Sequence, residues 1–283
     1  FQKINITLES RGNYSSYFHT LLRIDGDDIT SYKNSFYNYN TAGMNGILVQ
    51  GDHVNISNNK FYYSEWGIYT DYADYGAYSE NLFIGPSDTY GSTFAIYSSS
   101  YNIIENNSFY EVYFGLSVHD SSTYNDLLFN SLDYSSNGTS SYGHQGLQFS
   151  SSSTNNLAYG NQISHYNEGL RLLCTTVSCE NNVVKNNTVD DSVYGIVLYP
   201  NAINNEIIDN IVTGNSNTVA DIYIEGSNNV ITENIIKNSA GLGYGLYLHN
   251  AINNTISDNI IKDNDDDGVH LYNSDNNTIS NNT

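Results

Sequence analysis

Positive charge is what this sequence has least of. Nine Lys plus Arg stand against 30 Asp plus Glu, a formal charge of −21 with a pI near 4.2. Nucleic acid and anionic membrane surfaces are recognised by clustered cations, so the charge argues against both as partners. No run approaches the ~18 apolar residues of a membrane helix, and no segment reads as membrane-spanning. So few Lys and Arg leave few trypsin-like cleavage sites, in keeping with an exposed extracellular location. Soft metal donors are sparse too: two Cys, one Met and seven dispersed His offer copper little. The chain starts at Phe1 and stops at Thr283 in mid-repeat, which reads as a portion of something longer.

What is abundant is repetition. Asn34, Asn59, Asn107, Asn130, Asn161, Asn187, Asn210, Asn234 and Asn259 each precede a strand-like pair, and Asn282 starts a tenth member. A second column runs through Leu21, Gly46, Gly67, Ala95, Gly115, Gly146, Gly169, Gly195, Asp221, Gly245 and Gly268, with spacings of 20 to 31 residues. The next position is aliphatic throughout, from Leu22, Ile47, Ile68 and Ile96 to Leu246 and Val269. Two residues on, apolar side chains recur, with Thr70 and Ser98 as exceptions, while the position between accepts anything. In-out-in alternation is a half-buried strand, not a helix. Asn-Asn-x-Ile at 228–231, 253–256 and 276–279 then turns the chain into further short strands.

Such turns cannot bury an apolar face alone, and stacking them does. The expected fold is all-β: a single-stranded parallel β-helix, or β-solenoid, of about eleven turns of about 24 residues, continuous over 1–283. At about 4.8 Å per strand the rod is roughly 50 Å long. Uneven spacing places loop excursions near 71–94 and 120–145. The repeated asparagines read as a corner ladder, their amides bonded to one another, Asn also tolerating left-handed backbone. Cys174 and Cys179 bracket a short loop and are expected to form a disulfide, which marks an oxidising compartment; free thiols or a soft-metal pair are the alternative. Among many Asn-x-Ser/Thr sequons, Asn13 and Asn137 fall in apparent loops and are the candidates for glycosylation.

The run Asp221-Ile-Tyr-Ile-Glu-Gly-Ser-Asn-Asn-Val-Ile-Thr-Glu-Asn234 and the two repeats after it resemble the NosD-like, carbohydrate-binding and sugar-hydrolase (CASH) type of β-helix. The resemblance implies a right-handed helix. It is poor for activity, because that family spans polysaccharide lyases, epimerases, a periplasmic protein of copper-enzyme maturation and many surface proteins. Acidity, sequons and richness in Asn, Ser, Thr and Tyr are most similar to the surface proteins of methanogenic archaea.

Lyases and epimerases of this fold set acids and a basic residue on adjacent turns. The outward positions read from sequence carry Arg23 and Arg171 six repeats apart, and no two acids fall side by side. The nearest constellation is Tyr223, Glu225, Tyr247, His249 and His270, a carboxylate-imidazole patch with aromatic rings that also reads as a plain cross-strand polar pair. Asp263-Asn-Asp265-Asp266-Asp267-Gly268 reads as solvated turn carboxylates, with calcium as the alternative. Tyrosine is conspicuous at 27 residues, among them Tyr14, Tyr17, Tyr37, Tyr39, Tyr62, Tyr63, Tyr72, Tyr75, Tyr78, Tyr90 and Tyr110, assigned to loops and outward positions. They suit either column stacking or contacts with other subunits or glycans.

The sequence favours a non-enzymatic structural protein of the cell surface, a self-associating block of an envelope layer, sheath, filament or adhesin. The alternative is a carbohydrate-active module, whether lyase, epimerase, hydrolase or glycan binder.

Overall fold

The structure, a computed structural model, describes residues 19–37, 44–62, 66–85, 92–135, 143–215, 219–239, 241 and 243–283. Every regular element among them is a strand. Apart from a two-stranded pairing of Cys179–Glu180 with Ala202–Ile203, the strands stack into three parallel sheets, to which each complete turn contributes one strand apiece. Sheet I has eleven strands, from His19–Ile24 to Val269–Tyr272, mostly six residues long. Sheet II has eleven strands, all of three residues, from Thr30–Tyr32 to Thr278–Ser280. Sheet III has ten, from Ser35–Tyr37 to Ile260–Lys262, so ten turns are complete and an eleventh has two strands.

The short strands follow from the sequence. In sheets II and III one residue of each three points inward, as in Ile104, Leu127 and Val184, or Leu132, Val189 and Val212, all within 1% of full burial. Sheet I adds two inward residues per turn, such as Leu170 and Leu172. These side chains stack along the axis, most visibly where Phe36, Phe61, Phe83 and Phe109 lie parallel at 4.9, 4.8 and 4.6 Å. Each fully buried Leu, Ile or Phe is worth about 1.5–3 kcal/mol against exposure, and no turn could realise that alone.

The glycine column has a steric cause. A Cβ on Gly169 would lie 2.3 Å from Val189 Cγ1, and one on Gly195 2.3 Å from Val212 Cγ1. At this bend the backbone of sheet I rests directly on the inward residue of sheet III.

One register in the sequence reading is wrong. Phe94, not Ile96, pairs with Ile68 and Leu116, and Ile96 pairs with Thr70 and Val118. Thr93 therefore stands in the glycine column where Ala95 was placed, and Tyr97, not Ser99, is the outward neighbour of Asp71 and His119. Thr70 is then the single break in its apolar row, and its buried Oγ1 has no partner. Of the stretch 71–94, residues 77–79 and 82–84 are regular strands, as are 126–128 and 131–133 within 120–145. Residues 86–91 and 136–142 lie outside the described residues.

The asparagine ladder is longer than the sequence suggested, because Asn81 fills the gap between Asn59 and Asn107. Asn59 donates its backbone N–H to Asn81 Oδ1 at 2.9 Å, and Asn81 donates to Asn107 Oδ1 at 3.0 Å. A second ladder, unrecognised as one in the sequence, runs through Asn102, Asn125, Asn156, Asn182, Asn205, Asn229, Asn254 and Asn277 at the corner before sheet II. In both, the amide nitrogen also donates to a carbonyl of the preceding turn, as Asn187 does to Ala158 O at 3.0 Å. The buried amides of both ladders thus find partners without water. Left-handed backbone belongs to the residue before each ladder position, including Lys33, Glu80, Phe129 and Glu233 at φ of 55, 54, 52 and 60°. The asparagines are selected for their amides, and the outward residue beside them takes the strained conformation.

Candidate functional site

Sheet I is the face with room for chemistry, because its strands present three outward rows. Two were read from sequence, the Arg23–Arg171–His270 row and the Asp25–Glu225–Tyr272 row. The third immediately precedes the glycine column and aligns Phe114, Gln145, Glu168 and Tyr194 on successive turns. The bend at glycine turns this extra residue outward, so a two-residue alternation misses it. A large or polar residue directly before Gly is the signal that finds it.

The third row completes a groove. Glu168, Tyr194, Val197, Tyr199, Val219, Tyr223, Glu225, Tyr247 and His249 line a depression of about 420 Å³. Its floor exists because Val197 is small where the next turn on either side carries Arg171 or Tyr223. At one end Tyr199 donates its hydroxyl to Glu168 Oε1 at 2.6 Å, and Arg171 Nη1 reaches Glu168 Oε2 at 2.7 Å. Arg171 Nε donates to Gln148 Oε1 at 2.6 Å. Farther along, Ser150 Oγ and His119 Nδ1 are hydrogen-bonded at 2.5 Å, and His119 stacks on Tyr97. Burial first, then the Arg171 charge, lowers the His119 pKa to about 4, so this imidazole is neutral near pH 7.

At the other end, Tyr223 donates its hydroxyl to Glu225 Oε1 at 2.9 Å, and His249 Nδ1 lies 3.1 Å from the same oxygen. Asn250 Nδ2 stands 3.3 Å from His249 Nε2. A tautomer with Nδ1–H toward Glu225 and Nε2 accepting from Asn250 satisfies both of these contacts. Burial, followed by the Glu168 and Glu225 carboxylates respectively, raises the Tyr199 and Tyr223 phenols well above their ordinary value. Both hydroxyls therefore stay protonated and act as hydrogen-bond donors, not bases.

Of the sequence-predicted patch, Tyr223, Glu225, Tyr247 and His249 come together in this groove. His270 stacks on Tyr244 at 4.3 Å, and its Nδ1 lies 3.0 Å from Asp267 Oδ2, beyond the groove lining. Two acids and an arginine do share this face, Glu168 and Arg171 on one strand and Glu225 two turns on, which is not the adjacent-turn cluster sought in the sequence. Glu168 escaped notice because it belongs to the third row.

Elsewhere, Cys174 and Cys179 form a disulfide with Cα atoms 5.7 Å apart, both sulfurs inside the core. Within 263–268, Asp265 accepts the Gly241 N–H and Asp267 faces His270. Among the described residues no group of three or more His, Cys, Asp or Glu converges as metal ligands. Asn13 and Asn137, with Tyr14, Tyr17, Tyr39, Tyr63 and Tyr90, lie outside the described residues. Tyr78, assigned to the exterior from sequence, is fully buried against Phe94, since it occupies the inward position of its strand. Tyr75, Tyr101 and Tyr124 are exposed and stack in a column with His53, at 5.1 to 5.2 Å per step.

Two family profiles match the chain. Residues 134–283 match "Periplasmic copper-binding protein (NosD)", and residues 11–163 match "Right handed beta helix region". No curated protein matches the sequence. Similar solved structures include the A-module of the mannuronan C-5 epimerase AlgE6 from Azotobacter vinelandii, with a TM-score of 0.71 at 14% identity, covering 94% of this chain and 77% of that one. The periplasmic alginate epimerase AlgG gives 0.57 at 15% identity, covering 89% and 73%. The DFA-IIIase of Arthrobacter chlorophenolicus gives 0.64 at 12% identity, covering 89% and 71%. At such identities the likeness is one of fold.

The donor set does not fit the copper of the first profile's description. Both cysteines are spent in the disulfide, the single methionine is Met44, and the described histidines do not converge. The two profile matches, which together run from residue 11 to 283, agree with the three-sheet solenoid, and the chain belongs to the NosD-type right-handed parallel β-helix family.

Proposed function

We propose that this chain is a glycan-binding β-helix whose ligand lies in the groove over Val197. The observation that carries the reading is the pairing of aromatic walls with convergent polar groups. Tyr194, Tyr199, Tyr223 and Tyr247 surround a floor where Glu168 and Glu225 present carboxylates and His249 an imidazole. Sugars need apolar faces to stack on and fixed hydrogen-bond partners for their hydroxyls. The fold neighbours include epimerases of mannuronan and alginate and an enzyme in complex with DFA-III, which agrees with a carbohydrate ligand. A location outside the cytoplasm, periplasmic or extracellular, fits the buried disulfide and the descriptions of NosD and AlgG as periplasmic.

The test is affinity electrophoresis against a panel of soluble polysaccharides, with Tyr223→Ala and Tyr247→Ala as variants. Retardation by at least one polymer, reduced in both variants, is expected. Binding unchanged in both variants would remove the groove from the account.

The structural reading keeps one specific support. One asparagine ladder runs from Asn34 to Asn282 and the other from Asn102 to Asn277, which suits a stiff rod in a surface assembly. A rod built into an envelope and a rod that holds glycan are compatible. Electron microscopy of isolated envelopes tests the former: a regular lattice labelled by antibody to this chain is expected, and label confined to soluble material contradicts it.

A further inference from the structure

We infer that the ligand of this groove is an uncharged polysaccharide and not a uronate polymer, despite the fold shared with alginate-acting proteins. The inference rests on the glycan reading above and adds the chemical class of the sugar.

The argument is a census of charge. Two carboxylates, Glu168 and Glu225, line the groove. The cation nearest to it, Arg171, is already committed: Nη1 to Glu168 Oε2 at 2.7 Å and Nε to Gln148 Oε1 at 2.6 Å, with the side chain 12% exposed. Arg23, the other arginine on sheet I among the described residues, stands at the opposite end of the rod and is bound to Asp25 at 2.7 Å and Gln50 at 2.8 Å. The described lysines point from other faces. Lys60, Lys237 and Lys262 belong to sheet III, Lys185 to sheet II, and Lys33 to the corner between those two. His249 faces Glu225, so protonation there would neutralise a carboxylate and leave no spare cation.

A uronate chain brings one carboxylate per sugar. In this groove it would meet two fixed carboxylates and, among the described residues, no unpaired Lys or Arg, inside a protein of formal charge −21. Like charges in contact disfavour binding, and the effect is strongest where water is partly excluded. An uncharged sugar meets none of this. Its hydroxyls donate to the remaining lone pairs of Glu168 and Glu225 and to the phenol oxygens of Tyr199 and Tyr223, whose own protons are held by those carboxylates, and its ring faces rest on tyrosine.

Isothermal titration calorimetry on the full chain tests the inference, with soluble glucan, mannan, xylan and galactan set against polymannuronate and polygalacturonate, all in chelator. At least one neutral polymer is expected to bind about tenfold or more tighter than either uronate, a factor equal to ~1.4 kcal/mol, with little dependence on salt. Glu168→Gln keeps an acceptor for Tyr199 but releases the Arg171 charge, and is expected to raise uronate binding severalfold. Glu225→Gln, which removes the other fixed negative charge, is expected to act in the same direction and covers the case in which Glu168→Gln fails to fold. Uronate binding as tight as the best neutral polymer, with chelator or only on adding calcium, overturns this inference and leaves the glycan reading standing. If no polymer of either kind binds, the glycan reading falls and takes this inference with it.

Discussion

Arg171 Nη1 sits 2.7 Å from Glu168 Oε2 within one strand, and the two side chains are only 12% and 9% exposed. A pair so withdrawn from water is costly to break from one side, because the remaining charge stays behind without its partner. Arg171→Ala should destabilise by about 3 kcal/mol. Arg171→Met combined with Glu168→Leu should cost clearly less, since neither charge is then left buried. Urea unfolding midpoints at neutral pH measure both. Equal losses in the two variants would mean that packing around the pair, not the pairing, sets the cost.

The ladders give a second prediction. Asn187 accepts from the Asn161 backbone N–H and Nδ2, both at 2.9 Å, and donates to Ala158 O and Asn210 Oδ1, both at 3.0 Å. Asn187→Ala strands several buried groups at about 1–3 kcal/mol each, so a loss of roughly 3 kcal/mol or more is expected. Asn34→Ala, at the partly exposed end of the same ladder, should cost under about 1 kcal/mol. Hydrogen exchange of the Asn161 amide, slow in the parent and fast in Asn187→Ala, locates the effect.

Asp221 predicts a pH dependence. It stands in the glycine column, fully buried, with Oδ1 accepting from Asn215 Nδ2 at 2.9 Å and Oδ2 without a partner. Burial raises its pKa to about 7, opposed in part by the Asn215 hydrogen bond. The folded value lies above the unfolded value of about 3.9, so the folded state binds the proton more tightly. The associated stability is therefore fully present below pH ~4 and is lost as pH rises through ~7. Asp221→Asn abolishes that loss. It should stabilise by a few kcal/mol at pH 8 and change little at pH 4. Melting temperatures across this range check the sign, and an Asp221→Asn variant less stable at pH 8 than the parent contradicts the assignment.

The glycine column can be tested with an internal control. On Gly195 a Cβ would lie 2.3 Å from Val212 Cγ1 and 2.7 Å from Asp221 O, so Gly195→Ala should cost about 1–3 kcal/mol through overpacking. At Gly268 the nearest atom is Ile261 Cγ2 at 3.5 Å, an ordinary contact, and Gly268→Ala should stay within about 0.5 kcal/mol. Denaturant midpoints of the two variants should differ accordingly.

The fold was legible because each turn repeats the same physical demands. An inward aliphatic, a glycine where two backbones meet and an amide at a corner recur in positions such as Ile196, Gly195 and Asn210, and eleven repetitions average away local exceptions. The exceptions were misread where one turn departed from the pattern. Ala95 resembles a glycine-column residue more than Thr93 does, which drew the register two residues off, and Asn81 was passed over although Asn81-Leu-Phe83 fits the motif. The site was only half legible. Glu225 and His249 align in one outward row, so spacing alone joins them. Glu168 meets Tyr199 across rows through long side chains, and Val197 matters by being small, neither of which a column alignment records.

The central claim is that the groove over Val197 holds a sugar. A crystal structure of the chain with an oligosaccharide of whichever polymer it retains tests this most directly. The account predicts sugar in the groove, a ring face against Tyr223 or Tyr247 and hydroxyls within hydrogen-bond reach of Glu168 or Glu225. Sugar bound elsewhere on the rod, with the groove left to solvent, would contradict it.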